Sequence, residues 1–274
     1  MKIELNDSDP IETFAYKVVA QGGRDEYGNR VLQEENLPIY LGSIKGAKTD
    51  DIDYLIIASD LQGNVIDNDE PKLLGEVLPA FLKLLFEIEF TEVNSNKIGV
   101  FLCGDLFARL DKRGGLGDVK NVWRAFNKHF GFVVGVAGNH DHFGDSQEFE
   151  NFQQEAGIYY LHNEIKKVAN LKVGGISGII GRPDKPFRNE ETRHLTELKK
   201  LLLKQPDFIL LHEGPNNMTP KLQGNDKIRA IIERSQKNII CCGHNHWEQT
   251  LVEKENGTQI INADAKCIIL KISK

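Results

Sequence analysis

Short apolar segments rich in β-branched residues alternate with amphipathic segments along most of the chain, and this alternation predicts the secondary structure. Organised structure begins at Asp53, in a strand that ends at Ser59. Further strands are expected at 97–103, 131–137, 158–161, 164–168, 171–176, 207–212, 238–242, 247–254, 258–263 and 267–273. Helices are expected at 72–90, 118–129, 146–155, 189–204 and 225–236. The repeated change between strand and helix periods predicts the α/β class.

The first predicted helix, 72–90, has an apolar face at helical spacing. We expect this face to consist of Leu74, Val77, Leu78, Phe81, Leu85 and Ile88. Pro79 lies inside the same segment, and proline removes one hydrogen bond of a helix and clashes with the preceding turn. We therefore expect the helix to kink or restart at Pro79.

Residues 1 to about 50 are less regular and predict two short strands, 14–19 and 37–41. The segment between them has the composition of turns, with Gly22-Gly23, Asp25 and Gly28-Asn29. It is either a hairpin that extends the main sheet or a flap over the site, and the sequence leaves both open. Because the chain contains no linker, we predict a single domain over 1–274, with its core at about 53–273 and 1–50 as an N-terminal extension.

Five predicted strands stop abruptly at polar residues. The segments at these ends are Asp60-Leu61-Gln62, Gly104-Asp105, Gly138-Asn139-His140-Asp141, His212-Glu213 and Gly243-His244-Asn245-His246. In open α/β sheets the carboxyl ends of the strands are where ligands bind. We therefore expect these side chains to meet at one edge of one sheet.

This set of side chains indicates a metal site. Its candidate ligands are Asp60, Gln62, Asp105, Asn139, His212, His244 and His246. Two divalent ions roughly 3.5–4 Å apart would use this many ligands and share one carboxylate. Such a pair neutralises phosphoryl oxygens and lowers the pKa of water, which favours hydrolysis at phosphorus.

The ordered set Asp-x-Gln, Gly-Asp, Gly-Asn-His-Asp, a late histidine and Gly-His-x-His resembles the calcineurin-like metallophosphoesterase family over residues 53 to about 270. The resemblance implies an α/β fold in four layers, α/β/β/α, in which two mixed β-sheets are flanked by helices. It also implies a two-metal site and phosphoester hydrolysis.

The resemblance assigns a role to each matching residue. One ion would be held by Asp60, Gln62, Asp105 and His246, and the other by Asp105, Asn139, His212 and His244, so that Asp105 bridges the two. His140 matches the family's catalytic histidine, which contacts phosphate and assists the leaving oxygen. Asp141 would orient a neighbouring imidazole.

Two departures from the family pattern change the expectations. Most members have Asp-x-His where this chain has Asp60-Leu61-Gln62. An amide oxygen should move the metal preference from zinc toward manganese or magnesium, or leave that site only partly filled. A minority with Gln there includes manganese-dependent pyrophosphatases acting on ADP-ribose-like substrates.

The aspartate of the phosphoprotein phosphatase branch is replaced by Ala108, which argues against that branch. Arg109 is a candidate phosphate contact, and further candidates from overhanging loops are Arg113, Arg182 and Arg188.

Composition and charge narrow the range of expected binding partners. The chain is 40% hydrophobic and 27% charged, with a formal net charge of −6, so it lacks the basic footprint of a duplex- or membrane-binding protein. This does not exclude a nucleotide or a short single strand.

No apolar run approaches about 18 residues, and the acidic start does not resemble a signal peptide. The cysteines (Cys103, Cys241, Cys242 and Cys267) lie in predicted strands as reduced core residues, which favours a cytoplasmic protein.

We therefore expect an enzyme that hydrolyses a phosphomonoester, or a phosphodiester or pyrophosphate bond, in a small or nucleotide substrate, with two divalent ions. Manganese is favoured, while magnesium, iron and zinc remain open. One alternative is a nuclease or nucleic-acid phosphatase, and another is a binding or scaffold protein with a degenerate metal site. The substrate, the choice between monoesterase and diesterase, and the oligomeric state are not determined by the sequence.

Overall fold

The computed structural model describes residues 1–24, 26–28, 30–67, 69–90, 93–217 and 222–273. The strands in these ranges are β1 (Lys2–Leu5), β2 (Glu12–Arg24), β3 (Arg30–Lys45), β4 (Tyr54–Ser59), β5 (Asn64–Asp67), β6 (Glu70–Leu73), β7 (Ile98–Leu102), β8 (Gly117–Asp118), β9 (Phe132–Gly135), β10 (Asp141–His142), β11 (Ile158–Tyr160), β12 (Glu164–Val168), β13 (Leu171–Ile176), β14 (Ile179–Ile180), β15 (Arg188–Asn189), β16 (Phe208–Glu213), β17 (Ile239–Gly243), β18 (Leu251–Glu253), β19 (Gln259–Asn262) and β20 (Lys266–Ser273). The α-helices are α1 (Leu74–Glu89), α2 (Lys120–His129), α3 (Ser146–Gln153), α4 (Glu191–Leu203) and α5 (Asp226–Glu233).

Two mixed sheets dominate the fold. Within the described ranges, the first sheet has the strand order β11-β9-β7-β4-β20-β3-β2-β5-β6, with β1 paired to β3, and the second has the order β12-β13-β16-β17-β19-β18. The strands β11, β9, β7 and β4 run parallel to one another, as do β13, β16, β17 and β19. Each sheet therefore contains a parallel block whose strands end at the same edge.

The core separates into three apolar layers, which shows how the sheets and helices stack. Between the sheets, side chains such as Phe101 and Val134 of the first sheet pack with Phe208 and Cys241 of the second. The outer face of the first sheet packs against α1, α2 and α3, and that of the second against α4 and α5. The predicted four-layer α/β/β/α sandwich is confirmed.

Helix α1 corrects two expectations. Its helical residues continue through Pro79 to Glu89, so the helix does not restart at the proline. Ile88 is 66% exposed, so its predicted place on the buried face is wrong. Leu82 and Phe86 are buried on that face together with Leu74, Leu78 and Leu85. At 3.6 residues per turn, the spacing from Leu74 to Ile88 does not equal a whole number of turns, so the side chain of Ile88 is rotated away from the buried face.

The closing strands also differ from the prediction in one place. Residues 247–250 precede the strand instead of belonging to it, since β18 covers only Leu251–Glu253. Trp247 lies at an isolated bridge with Leu222, and its Nε1–H donates to the carbonyl of Gln223 at 2.6 Å. This tertiary contact fixes the segment in a non-extended shape.

The N-terminal strands extend the first sheet as a long hairpin, which was one of the two alternatives. β3 pairs in parallel with β20, and β2 pairs with both β3 and β5. Asp25 and Asn29, expected at the turn, lie outside the described residues. The buried Tyr16 of β2 packs against Gly63, so the hairpin contacts the loop that carries Gln62.

The cysteines agree with the prediction of core residues, since Cys103, Cys241, Cys242 and Cys267 are all buried and free. Cys241 faces the layer between the sheets and Cys242 the helical layer. Among the described residues, none of the helices combines the length and apolar character that crossing a membrane requires.

His194 of α4 leads to a prediction about stability and pH. It is only 2% exposed, and burial together with the neighbouring His162 lowers its pKa from 6.5 to about 4. The unfolded chain therefore binds more protons at this histidine between pH 6.5 and pH 4, and stability falls as the pH falls through that window. We expect a loss of about 3 kcal/mol from this residue. Urea unfolding at pH 7 and pH 4, without metal, should show a smaller pH effect in His194→Gln than in the wild type; equal pH effects would contradict the assignment.

Candidate metal centre

The polar strand ends meet at one place, but they come from two sheets and not from one as predicted. Asp60, Asp105 and Asn139 follow β4, β7 and β9 of the first sheet. His212 lies in β16 and His244 follows β17, both of the second sheet. The parallel blocks place their carboxyl ends side by side across the layer between the sheets, which brings the two groups together.

Asp105 is the centre of this cluster. Its Oδ2 lies 3.3 Å from Nε2 of His212 and 3.3 Å from Nε2 of Gln62, and 4.0 Å from Nε2 of His140. The ligand atoms of Asp105, His212 and His244 all lie within 4.8 Å of one another. This spacing is short enough for one cation to contact all three.

His212 presents a bare nitrogen to a carboxylate. Its Nδ1 lies 2.8 Å from the carbonyl oxygen of Cys103, and because a carbonyl only accepts, Nδ1 carries the hydrogen. In neutral His212 the lone pair of Nε2 therefore faces Asp105 Oδ2, and this nitrogen is buried without a hydrogen-bond partner. Two acceptors that face one another in a buried site repel, and either a proton or a metal cation between them relieves the repulsion.

Several of the candidate ligands have a strained backbone conformation. Asp60 and Asp105 both have φ 54°, and His244 has φ 69°. These values lie in the left-handed region, which residues other than glycine rarely adopt. The fold holds them there with hydrogen bonds: Asp60 N donates to the carbonyl of Gly104, and His244 N donates to Asp60 Oδ2, both at 2.9 Å. Strain of this kind is typical of functional sites.

The glycines that precede the ligands allow these loops to approach closely. A Cβ at Gly138 would overlap Asp105 Oδ1, and a Cβ at Gly243 would overlap Asp60 Oδ2. Both positions therefore require glycine, which explains the Gly-Asn-His and Gly-His spacing at the ends of β9 and β17.

Asn139 and Gln62 differ in how far the structure prepares them for a metal. Asn139 is buried, and its Oδ1 has no hydrogen-bond partner among the described residues. The Gln62 amide donates through Nε2 to Asp105 Oδ2, so its oxygen points away from that carboxylate. A ligand role for the Gln62 oxygen would require the amide to turn over.

His246 is oriented by a residue that the sequence analysis missed. Its Nδ1–H donates to Asp264 Oδ2 at 3.0 Å, which leaves Nε2 available. Carboxylates that hold a histidine in this way fix the ring of a metal ligand. Asp264 follows β19, which is parallel to β17, so it occupies a further strand end of the same block. The signal was present as Asn262-Ala263-Asp264 after an apolar strand.

The position of His140 depends on the glycine loop after β7. Its Nδ1–H donates to the carbonyl of Gly115 at 2.6 Å, and its backbone N donates to Asp105 Oδ1 at 2.8 Å. Nε2 is thereby left free on the side that faces Asp105. No role was predicted for Gly115 from the sequence.

Asp141 has a different environment from the one expected. Its partners are backbone amides, since Oδ2 accepts from Asp105 N and Gly138 N, and Oδ1 accepts from Leu106 N. The expectation that it orients an imidazole does not agree with these contacts. The fully buried carboxylate instead ties the loop after β7 to the loop after β9, which sets the positions of Asp105 and Asn139.

The arginines considered as phosphate contacts differ in their surroundings. Arg109 forms a two-pronged ion pair with Asp111 at 2.6 and 2.7 Å, and Arg182 pairs with Asp184. Arg113 donates to Gln21 of the N-terminal hairpin at 3.5 Å. Arg188 lies in β15 beside a cavity described below.

Electrostatics within the centre favour a bound cation. Burial and the nearby Asp264 raise the pKa of the Asp60 carboxyl well above its usual range. Burial opposes the charge of His212, but Asp105 outweighs it and raises the pKa of His212 to about 10. Burial and His212 lower the pKa of His244 to about 4. The raised pKa values of Asp60 and His212 favour a bound proton at these two groups, and the lowered pKa of His244 leaves its imidazole neutral. Carboxylate, amide and neutral imidazole donors fit divalent ions.

The fold and the centre together define an α/β sandwich hydrolase with a metal-binding strand edge, and comparison with known proteins gives its family. The sequence model of the Calcineurin-like phosphoesterase family matches residues 54–248, and the chain belongs to this family. It is a metal-dependent phosphoesterase, in a family that uses pairs of divalent ions. Comparison with curated proteins gives no match.

Comparison with solved structures gives low sequence identities, and the first match below shares the fold. The protein TT1561 of Thermus thermophilus is 16% identical with a TM-score of 0.54, and the match covers 78% of this chain and 90% of that chain. Phosphopantetheinyl hydrolase (PptH) from Mycobacterium tuberculosis is 13% identical with a TM-score of 0.46, over 79% of this chain and 90% of that chain.

Proposed function

We propose that the protein hydrolyses a phosphomonoester, or a phosphodiester or pyrophosphate bond, of a small or nucleotide substrate at the centre around Asp105. The observation that supports this most is the convergence of Asp105, His212 and His244 within 4.8 Å, with Nε2 of His212 turned toward Asp105 Oδ2 at 3.3 Å. The set Asp60, Gln62, Asp105 and His246 would hold one ion, and Asp105, Asn139, His212 and His244 the other.

Each side chain has a part in the proposed reaction. A pair of divalent ions in this centre would supply charge neutralisation for the phosphoryl oxygens and a water of lowered pKa. His140, held by Gly115 and with Nε2 free, donates a proton to the leaving oxygen. Asp141 keeps the two ligand loops in register, and Asp264 holds the ring of His246. Arg109 would have to leave Asp111 to reach a phosphate.

A metal-resolved activity screen tests this function. Phosphomonoesters, phosphodiesters, dinucleotides and short single strands should each be assayed with Mn²⁺, Mg²⁺ and Zn²⁺. We expect hydrolysis of a small or nucleotide substrate that disappears with a chelator and returns with a metal. Turnover confined to the single strands would favour the nuclease alternative. Metal binding without any turnover would favour the scaffold alternative.

Gln62 gives a prediction about metal preference. Carboxylate and amide oxygens suit manganese and magnesium, while imidazole suits zinc. We therefore expect Mn²⁺ to stimulate activity, with the added ion entering the Gln62 site, and Gln62→His to bind zinc more tightly and need less manganese. Manganese titrations of the wild type, Gln62→His and Gln62→Ala measure this, with Gln154→His as the control for an added histidine. Superimposable curves for the three proteins would show that the amide is not a ligand.

We also propose that the protein is cytoplasmic. Four buried cysteines in the free state are typical of a reducing compartment, and this supports a cytoplasmic enzyme.

A further inference from the structure

A cavity of about 470 Å³ lies beside the metal centre, and no residue of the proposed reaction lines it. We call it the lateral pocket. It is bordered by α3, by the start of β12 and by the loop from 181 to β15, and its lining includes Phe149, Tyr160, His162, Phe187, Arg188 and Asn189. Its volume is within the range of about 300–1,000 Å³ typical of small-molecule sites.

The topology places the lateral pocket on the same strand edge as the ligands. β11 pairs in parallel with β9, and His162 follows β11 as Asn139 follows β9. In the second sheet, β13 pairs in parallel with β16, and Ile176 of β13 is paired with Leu211 of β16. Ser177, which lines the pocket, follows Ile176 as His212 follows Leu211. The pocket is thus displaced from the ligand-bearing strands by one strand spacing, about 5 Å.

Direct contacts link the pocket to the Asn139 loop. The hydroxyl of Ser177 accepts from Ala137 N at 2.9 Å, and Gly178 N donates to the carbonyl of Ala137 at 2.7 Å. Phe187 borders both the lateral pocket and a neighbouring cavity that His142 lines. These contacts place the wall of the pocket next to the loop that carries Asn139.

The pocket has aromatic walls. Phe149 and Tyr160 meet edge to face with ring centroids 4.9 Å apart. Phe187 is half-buried and has φ 49°, which is strained for a bulky side chain. Its carbonyl accepts from Ile179 N at 3.0 Å, which holds the residue in this conformation. Backbone strain that keeps a partly exposed ring beside a cavity is typical of a ligand-binding position.

Polar atoms in and behind the pocket lack partners. The amide of Asn163 donates to His162 Nε2 at 3.0 Å, so the hydrogen of His162 lies on Nδ1, which is buried and has no partner. Asn163 Oδ1 is buried without a partner as well, and so is Nε2 of His194, whose Nδ1 lies 3.3 Å from the amide of Asn189. Buried donors and acceptors are normally paired with protein groups or water, so the wall of the pocket at His162 is polar. Burial and Arg193 lower the pKa of His162, which keeps its ring neutral near pH 7.

We propose that the lateral pocket binds a planar heterocyclic group of the substrate, of the kind found in the base of a nucleotide, while the phosphorus lies at the metal centre. This assignment rests on the proposed function, which it narrows. The half-buried ring of Phe187 offers a face for stacking, and the rings of Phe149, which is stacked on Phe143 on one side, and His162 line the same cavity. Arg188 at the same cavity meets a phosphate or a sugar hydroxyl.

Equilibrium binding to chelator-treated protein tests the pocket without requiring catalysis. The probes are the four nucleoside 5′-monophosphates and ribose 5-phosphate, which has the same sugar and phosphate but no base. We expect at least one nucleotide to bind about ten-fold more tightly than ribose 5-phosphate, because stacking on an aromatic side chain strengthens binding by about this much. Equal affinities, or no measurable binding of any nucleotide, would overturn the proposal.

Two variants with matched controls connect the preference to the pocket. Phe149→Leu and His162→Ala should each reduce the preference for the nucleotide several-fold, while Phe90→Leu and His129→Ala, outside the pocket, should leave it unchanged. Thermal unfolding identifies a variant that fails to fold, and the other variant then decides. A preference that survives both substitutions would overturn the assignment. A preference for the base in a protein that hydrolyses no phosphoester would refute the proposed function and support the pocket.

Discussion

Asp105→Ala is expected to remove both metal ions and to lower turnover by about 10³-fold or more. The Asp105 carboxylate lies against His212, Gln62 and His140 at 3.3, 3.3 and 4.0 Å. Asp105 thus contacts one member of each proposed ligand set directly, Gln62 of the first and His212 of the second. The ions stabilise a phosphoryl transition state by several kcal/mol, and each 1.36 kcal/mol corresponds to a factor of ten in rate.

Elemental analysis together with turnover measures this effect. Asp9→Ala, at an exposed carboxylate outside the centre, is the control and should keep both ions. Asp105→Asn retains the shape and the hydrogen bond from His140 N but loses the charge, so it separates folding from metal binding. Two tightly held ions in Asp105→Ala would show that this carboxylate does not bridge the sites.

The fold could be predicted because the strands are short, apolar and buried on both faces. Leu55 and Ile57 face the layer between the sheets, while Ile56 and Ala58 face the helices, and this double burial produces an uninterrupted apolar run. The same run does not reveal which sheet a strand joins. The expectation of one common sheet was wrong for that reason, since His212 and His244 belong to the second sheet.

The errors in the fold come from contacts between distant segments. The side chain of Trp247 is held by the carbonyl of Gln223, which prevents residues 247–250 from continuing a strand. Long strands of the N-terminal hairpin are stabilised by pairing with β20 at the far end of the chain. Neither contact has a counterpart in local periodicity, so local patterns could not anticipate them.

The candidate site shows the same division between local and tertiary information. Asp105, Asn139 and His244 were predictable because each follows an apolar strand directly. The support around them was not predictable, since Gly115 reaches His140 across 25 positions of the chain and Asp141 reaches Asp105 across 36. The structure thus adds the residues that orient the ligands, while the ligands themselves are visible in the sequence.

His140→Ala is expected to retain both metals and to lose roughly 10²–10⁴-fold in turnover, the usual range for general acid–base catalysis. The structure separates the two roles because His140 contacts the centre through its free Nε2, whereas its Nδ1–H is committed to Gly115. Nε2 of the ring lies 4.0 Å from Asp105 Oδ2, and the 2.8 Å hydrogen bond to Asp105 Oδ1 comes from the backbone N of His140, so removal of the ring leaves the ligand set complete. His129→Ala on α2 serves as the control and should have wild-type turnover.

The dependence on the leaving group then shows what His140 does. An ester with a good leaving group, such as a nitrophenyl phosphate, needs little protonation, so the variant should lose less activity on it than on an alkyl ester. Rates of the wild type and His140→Ala across a series of leaving groups measure this difference as a change in slope. An equal loss for good and poor leaving groups would mean that His140 binds the phosphate instead of protonating the departing oxygen. Loss of metal in His140→Ala would contradict both roles, because the histidine would then belong to the ligand set.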